Sequence, residues 1–133
     1  MQSRGLATSQ LATRPEASSM PVSILKQGAY LIASVQSALT DTEVIELRDS
    51  ILERVAKYRS TGVIVDVAAL DIIDSFAARS LSTVARTNRL RGAKTVVVGI
   101  QPEVAVAMSQ FGLRLDDAYT ALDLEAGIQL LTT

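Results

Sequence analysis

The sequence contains no cysteine and no histidine among its 133 residues. The lack of cysteine excludes disulfides, a thiolate nucleophile and cysteine-ligated zinc or iron–sulfur clusters. The lack of histidine removes the most common general base, the most common metal ligand and the serine–histidine triad. These absences exclude most classes of enzyme, and we expect a protein with no catalytic residues, no cofactor and no metal.

The sequence also lacks an excess of charge of either sign and any long apolar run. Lysine and arginine total 13, aspartate and glutamate total 14, and the formal net charge is −1. A dedicated nucleic-acid-binding protein would be plainly basic. No stretch approaches the ~20 apolar residues of a membrane helix, and the first residues lack the apolar core of a signal peptide. We therefore expect a cytoplasmic protein that binds neither nucleic acid nor membrane.

What the sequence does have is enough apolar material for a core, since 48% of its residues are hydrophobic. The length suits one domain, and wholesale disorder is excluded. Residues 1–19 show no apolar periodicity and predict a flexible N-terminal tail, with an organelle transit peptide as the less favoured interpretation. Residues 20–133 are predicted to form the domain.

Apolar spacing predicts an alternation of strands and helices. Residues 22–27 and 30–35 read as two strands about a turn. Thr40 and Glu43 form a capping box, and Gly62 is expected to end the helix that follows. That helix carries apolar residues at helical spacing, namely Val44, Ile45, Leu47, Ile51, Leu52, Val55 and Tyr58.

The second half of the chain continues the alternation. Continuous Val and Ile runs predict buried parallel strands at 62–70 and 95–99, and a weak strand is expected at 119–121. Helices are predicted over 75–90, from Pro102 towards Gly112, and after Asp123 as N-cap. The order β-β-α-β-α-β-α-(β)-α predicts an α/β domain whose four- to five-stranded mixed sheet is covered by helices.

The loop that follows the strand at 62–70 is the most informative segment. Ligand and partner sites of open α/β sheets lie at the carboxyl ends of strands. Asp74 and Ser75 open the next helix, and either can cap it. Ile72 and Ile73 before them are expected to anchor the loop in the core.

Ser75 has two interpretations, an ordinary helix-capping residue or a phosphoacceptor. A phosphate on Ser75 would meet the positive end of the helix and its free backbone donors. It would add roughly −1.5 to −2 charges beside Asp71 and Asp74, which would repel a docked partner. Arg79, one turn further on, could touch that phosphate.

The chain resembles the STAS domain, the SpoIIAA-like fold of anti-sigma-factor antagonists. Within that family it resembles the single-domain stressosome scaffolds of the RsbS type. The resemblance spans residues 22–133 and is carried by five stretches, namely Ile24–Gly28, Tyr30–Ser34, Asp66–Arg79, Val98–Ala105 and Thr120–Gly127.

The resemblance implies that Ser75 is the family's phosphorylated serine, with Asp74 directly before it. It implies a non-enzymatic scaffold, a homodimer within a large hetero-oligomer, that assembles with RsbR-type sensor paralogues and sequesters an RsbT-type serine kinase. Phosphorylation under stress would release the kinase, and an RsbX-type phosphatase would reset the switch. We expect Asp71, Asp74 and Arg79 to contribute to partner binding.

Several alternatives remain open from the sequence alone. A stand-alone anti-sigma-factor antagonist would use the same serine without a large assembly. A nucleotide-binding module could use the glycine-containing turn 99–102, although that turn lacks the P-loop lysine. Asp66, Asp71 and Asp74 could bind magnesium if they converged.

Two surface features also have two interpretations each. Met108 and Phe111 are expected to be core or subunit-contact residues. Every charged residue between Asp74 and Glu103 is basic, which predicts either a solvated helix face or a docking strip for acidic partners. The basic residues are Arg79, Arg86, Arg89, Arg91 and Lys94.

Overall fold

The computed structural model describes residues 21–133, and the predicted tail at residues 1–19 lies outside them. The order of the described elements is the predicted one. The strands are β1 (Val22–Gln27), β2 (Tyr30–Val35), β3 (Gly62–Asp66), β4 (Lys94–Val98) and β5 (Tyr119–Ala121). The helices are α1 (Asp41–Tyr58), α2 (Ser75–Leu90), α3 (Pro102–Gln110) and α4 (Leu124–Thr132).

The strands form one mixed sheet in the linear order β1-β2-β3-β4-β5. β1 and β2 are antiparallel, and the turn between them places Gly28 at φ +60°, a region that favours glycine. β2, β3, β4 and β5 are parallel to one another. The mixed sheet with parallel central pairs is therefore confirmed, and the chain leaves β2, β3, β4 and β5 at the same edge.

Helices cover both faces of the sheet, but unequally. The larger core cluster lies between the sheet and the helices α1, α2 and α3, and it includes Val65 of β3. The neighbouring residue Ile64 points to the opposite face, where Ile128 and Leu131 of α4 cover it. Because both faces are buried, the central strands are continuous runs of Val and Ile rather than alternating patterns.

The predicted starts of three helices are confirmed. The Thr40 hydroxyl accepts a hydrogen bond from Glu43 N (3.1 Å), and the Glu43 carboxylate accepts one from Thr40 N (2.9 Å). Pro102 is the first residue of α3, where its missing N–H costs nothing. The Asp123 carboxylate caps α4 by accepting from Ala126 N at 2.9 Å.

The expected end of α1 at Gly62 is wrong. The helix ends at Tyr58, and Arg59 takes the left-handed conformation at φ 51°. Gly62 instead opens β3, where an added Cβ would lie 2.8 Å from the Leu131 methyl groups. The glycine therefore makes room for α4. The apolar stripe of α1 is also narrower than predicted, because Ile45 and Tyr58 are exposed.

Among the helices within residues 21–133, none is both long enough and apolar enough to cross a membrane.

Candidate functional site

The loops that leave β3 and β4 are held against each other at the carboxyl edge of the sheet. Val67 N donates to Val98 O at 3.0 Å, and the Gln101 amide donates to Ala68 O at 2.8 Å. Gly99 has φ +81°, and a Cβ there would lie 2.9 Å from the Ala68 Cβ. The glycine in this turn therefore permits close packing of two loops, which accounts for it without a bound nucleotide.

Asp74, rather than Ser75, caps α2. Its backbone is extended at φ −82° and ψ 177°, and its carboxylate accepts from Ala77 N at 2.8 Å. The first intrahelical bond runs from Ala78 N to Asp74 O at 2.9 Å. Ser75 is consequently the first residue of the helix, and its side chain is exposed. Because Asp74 stabilises the start of the helix, the exposed Ser75 side chain is not needed as a cap.

The two residues that were expected to anchor this loop behave differently. Ile73 is 4% exposed and belongs to the main core cluster. Ile72 is 66% exposed, so the expectation that it anchors the loop in the core is wrong. The two isoleucines are consecutive in the loop, and only the Ile73 side chain packs into the core. Ile73 anchors the loop in the core, and Ile72 lies at the surface, where it lines the same groove as Ser75.

Ser75 lines a groove of about 470 Å³ between the β3–α2 loop and α3. The structure brings Asp71, Asp74 and Ser75 together along this groove. Its remaining lining is apolar and consists of Ile72, Ile73, Val104, Ala107, Met108, Phe111 and Leu113. We call it the Ser75 groove.

Arg79 lies outside the lining of the Ser75 groove. It is an exposed residue of α2, four positions after Ser75 and therefore on the same side of the helix. Within residues 21–133, its guanidinium is not part of an ion pair with a carboxylate. The structure thus places Arg79 one turn from the hydroxyl, as the spacing predicts.

The magnesium alternative finds no support in the described residues. Asp66 lies at the end of β3, where its carboxylate accepts from Ala68 N at 2.9 Å. Only Asp71 and Asp74 line the Ser75 groove. Within residues 21–133, acidic side chains form no group of three that could hold a metal ion.

The basic strip divides into paired and unpaired residues. Arg86 and Arg89 both bind Asp117, at 3.3 Å and 2.6 Å, and so fix the segment before β5 against α2. Lys94 lies over the ring of Tyr119, with 6.0 Å between its Nζ and the ring centroid. These contacts favour the interpretation of this part of the strip as a structural surface.

Phe111, which the sequence predicted as a core or subunit-contact residue, lines the Ser75 groove. Met108 is buried, but Phe111 follows the last residue of α3 and is 78% exposed. The core part of the expectation is therefore wrong for Phe111. An available signal was Gly112, whose φ of +67° marks the turn that ends the segment and leaves the preceding aromatic ring at the surface.

The comparisons with known proteins agree with this fold. The STAS domain profile matches residues 22–120. The RsbT co-antagonist protein RsbRA of Bacillus subtilis (strain 168) is 32% identical over 90 residues, which cover 67% of this chain and 33% of that protein. The chain spans about a third or less of the length of RsbRA and of the related RsbRD.

Solved structures give matches over most of both chains. RsbS of Moorella thermoacetica, in a form with glutamate in place of a serine, is 32% identical with a TM-score of 0.72 and covers 84% of this chain and 94% of that one. A chain of the stressosome, described as a signal integration and transduction hub, is 31% identical with a TM-score of 0.66, covering 83% and 96%. The anti-sigma-factor antagonist SpoIIAA shares the fold at 13% identity and a TM-score of 0.62, covering 78% and 90%. The chain therefore belongs to the STAS domain family, as an RsbS-type member that is also similar to a chain of the stressosome.

Proposed function

We propose that this protein is a non-enzymatic, phosphorylatable scaffold of a cytoplasmic stressosome in the regulation of a bacterial stress response. In this proposal it holds an RsbT-type serine kinase and releases it when Ser75 is phosphorylated. The observation that carries the proposal is the exposed Ser75 hydroxyl on the first turn of α2, directly after a residue that caps the helix by itself. Ser75 can therefore be modified without loss of the hydrogen bond that caps α2.

The first turn of α2 is suited to hold a phosphate without unfolding. The first N–H groups of a helix have no acceptor within it, and Asp74 satisfies that of Ala77. Within residues 21–133, the N–H groups of Ser75 and Phe76 have no acceptor, so they can donate to phosphate oxygens. The positive end of the helix dipole favours the added charge further. The Arg79 side chain, one turn on, can approach the same group.

A phosphate on Ser75 would also change the surface that a partner meets. Asp71 and Asp74 already line the Ser75 groove. Phosphorylation adds roughly −1.5 to −2 charges next to these two carboxylates. A partner docked there would face like-charge repulsion and the cost of removing water from a dianion. This physical effect supports release of a bound partner upon phosphorylation.

The proposed partners follow from the relatives. RsbRA is named as a co-antagonist of RsbT, and one of the similar solved chains, at 31% identity, belongs to a stressosome. We propose RsbR-type paralogues as co-assembling subunits, an RsbT-type kinase as the sequestered partner and an RsbX-type phosphatase that resets Ser75. Within the assembly the protein would act as a homodimer.

The proposal is tested by incubation of the protein with the RsbT-type kinase of the same genome and ATP, followed by phosphopeptide mapping. We expect one phosphate, on Ser75, and none on Ser75→Ala. Thr83→Ala is the matched control, because Thr83 is another exposed hydroxyl residue of α2. It should be phosphorylated as fully as the wild type. Modification at another residue, or undiminished modification of Ser75→Ala, would overturn the assignment.

A further inference from the structure

A cleft lies at the amino edge of the sheet, opposite to the edge that carries Ser75. It has a volume of about 460 Å³ and lies between the end of α2 and the start of β5. Its lining combines the cations of Arg89 and Lys94 with the half-exposed ring of Tyr119 and the carboxylate of Asp117. We call it the α2–β5 cleft.

An exposed leucine lies beside this cleft. Leu90 is the last residue of α2 and is 84% exposed, and it is flanked in the chain by the exposed residues Arg89 and Arg91. Single exposed apolar side chains are common on protein surfaces. This one stands among arginines and close in sequence to a cleft with an aromatic wall, and arginine and tyrosine are the residues that protein interfaces favour.

The contacts within the cleft orient its cations without burying them. Asp117 binds Arg86 and Arg89, whose side chains are still 57% and 73% exposed. Lys94 lies over the ring of Tyr119. Side chains that are ordered before binding lose less conformational entropy when a partner docks. The structural contacts of this part of the basic strip are therefore compatible with docking, and its charge favours an acidic partner.

The first half of α1, residues 41–49, provides an acidic surface of matching composition. Ile45 is 37% exposed, and Asp41 and Asp49 lie one turn before and after it on the same side of the helix. Glu46 is exposed beside it. This half of the helix contains four carboxylates and one guanidinium. It therefore presents an apolar side chain among acidic ones, whereas the α2–β5 cleft presents an apolar side chain among basic ones.

The two surfaces lie at opposite edges of the sheet and cannot meet within one chain. α1 begins after β2 at the carboxyl edge, and α2 ends before β4 at the amino edge. A contact between them must join two molecules. Because it uses a different surface on each molecule, it joins them head to tail.

We propose that the α2–β5 cleft binds the first half of α1 of a second copy of this chain, with Leu90 packed against Ile45 and the carboxylates facing the cations. This half of α1 is about 13 Å long, so the contact is smaller than a standard interface of about 800 Å² on each partner. A single contact is therefore weak and sensitive to salt. It gains strength where many copies are held together. The inference goes beyond the proposed function, because it involves neither Ser75 nor a kinase.

The test is light scattering of the full chain alone at concentrations up to about 1 mM. We expect the mean mass to rise with concentration in about 0.05 M salt and to rise much less in about 0.5 M salt. Leu90→Glu and Glu46→Lys should each weaken this association about tenfold, because each places a like charge in the contact. A mean mass of the wild type that does not change with concentration at low salt would overturn the inference.

A mixture of the two variants tests the head-to-tail geometry. Leu90→Glu keeps an intact α1 surface, and Glu46→Lys keeps an intact cleft. An equimolar mixture should therefore associate more tightly than either variant alone. If the mixture associates no more tightly than the separate variants, the two surfaces do not bind each other and the proposal is wrong.

Matched controls make the same changes outside both surfaces. Leu122 is 90% exposed and Glu125 is exposed on α4, and neither lines the cleft. Leu122→Glu and Glu125→Lys should associate within twofold of the wild type, and losses as large as those of the surface variants would overturn the assignment. Thermal unfolding checks that each variant is folded, and Arg91→Glu replaces Leu90→Glu if the latter is not. None of these outcomes affects the proposed function, because no step of the test involves phosphorylation.

Discussion

At the scale of single residues, Asp74 and Ser75 have different roles in the site: Asp74 caps α2, and Ser75 is the exposed first residue of that helix. Asp74 and Ser75 have side chains of the types that cap helices, so the dipeptide predicts where α2 begins but not which residue caps it. The structure assigns the cap to Asp74, whose carboxylate reaches Ala77 N. The extended backbone at Asp74 makes this residue the cap. The chemistry of the two side chains does not predict which residue takes that conformation.

This division predicts different stabilities for substitutions at the two positions. Asp74→Ala should lower the free energy of unfolding by about 0.5–2 kcal/mol, because it removes the cap. Asp74→Asn should lower the free energy of unfolding by only a few tenths of a kcal/mol, since the amide oxygen can accept the same hydrogen bond. Ser75→Ala should lie within about 0.5 kcal/mol of the wild type. Urea denaturation measures all three, and a larger loss for Ser75→Ala than for Asp74→Ala would contradict the assignment.

Ile72 and Phe111 show where reasoning about individual residues from sequence fails. Hydrophobicity predicts burial, but it does not tell which of two adjacent isoleucines points inwards. The answer depends on the path of the loop. That path is held by the packing of Ile73 in the core and by the hydrogen bond from the β4–α3 turn to Ala68. Both exposed residues line the Ser75 groove, which the sequence alone does not predict.

At the scale of elements, most of the fold could be predicted. The strands, helices and three helix starts follow from apolar spacing, capping residues and Pro102. The end of α1 could not, because Arg59 takes the left-handed conformation more often adopted by glycine. The role of Gly62 depends on α4, which is far away in sequence and packs across the sheet.

The packing of α4 predicts an unusual effect of a glycine substitution. A Cβ on Gly127 would lie 2.7 Å from Cγ1 of Val98, a buried and stiff side chain. Gly127→Ala should therefore destabilise the protein by about 1–3 kcal/mol through overpacking, although alanine has the higher helix propensity.

The matched control for this prediction is Gln129→Ala, an exposed position of the same helix. It should leave the free energy of unfolding within about 0.5 kcal/mol of the wild type. Stabilisation by Gly127→Ala, measured by urea denaturation, would show that α4 does not pack against β4 as described.

At the scale of the whole molecule, topology brings the informative loops to one edge. β3 and β4 are parallel neighbours, so their following loops meet, and α3 forms the far wall of the Ser75 groove. RsbS, the stressosome chain and SpoIIAA are similar to this chain in fold, with TM-scores of 0.72, 0.66 and 0.62. The sequence predicts this edge as the site, while the groove itself depends on how α3 and the turn after it, with Phe111 and Leu113, lie beside the β3–α2 loop.

The measurement that tests the account most directly is retention of the kinase by the assembled scaffold before and after phosphorylation of Ser75. The protein would be co-assembled with an RsbR-type paralogue, loaded with RsbT-type kinase and separated by size-exclusion chromatography. We expect the kinase to elute with a large particle when Ser75 is unmodified, and separately once Ser75 is phosphorylated. A kinase that still elutes with the particle after complete phosphorylation of Ser75 would contradict the account.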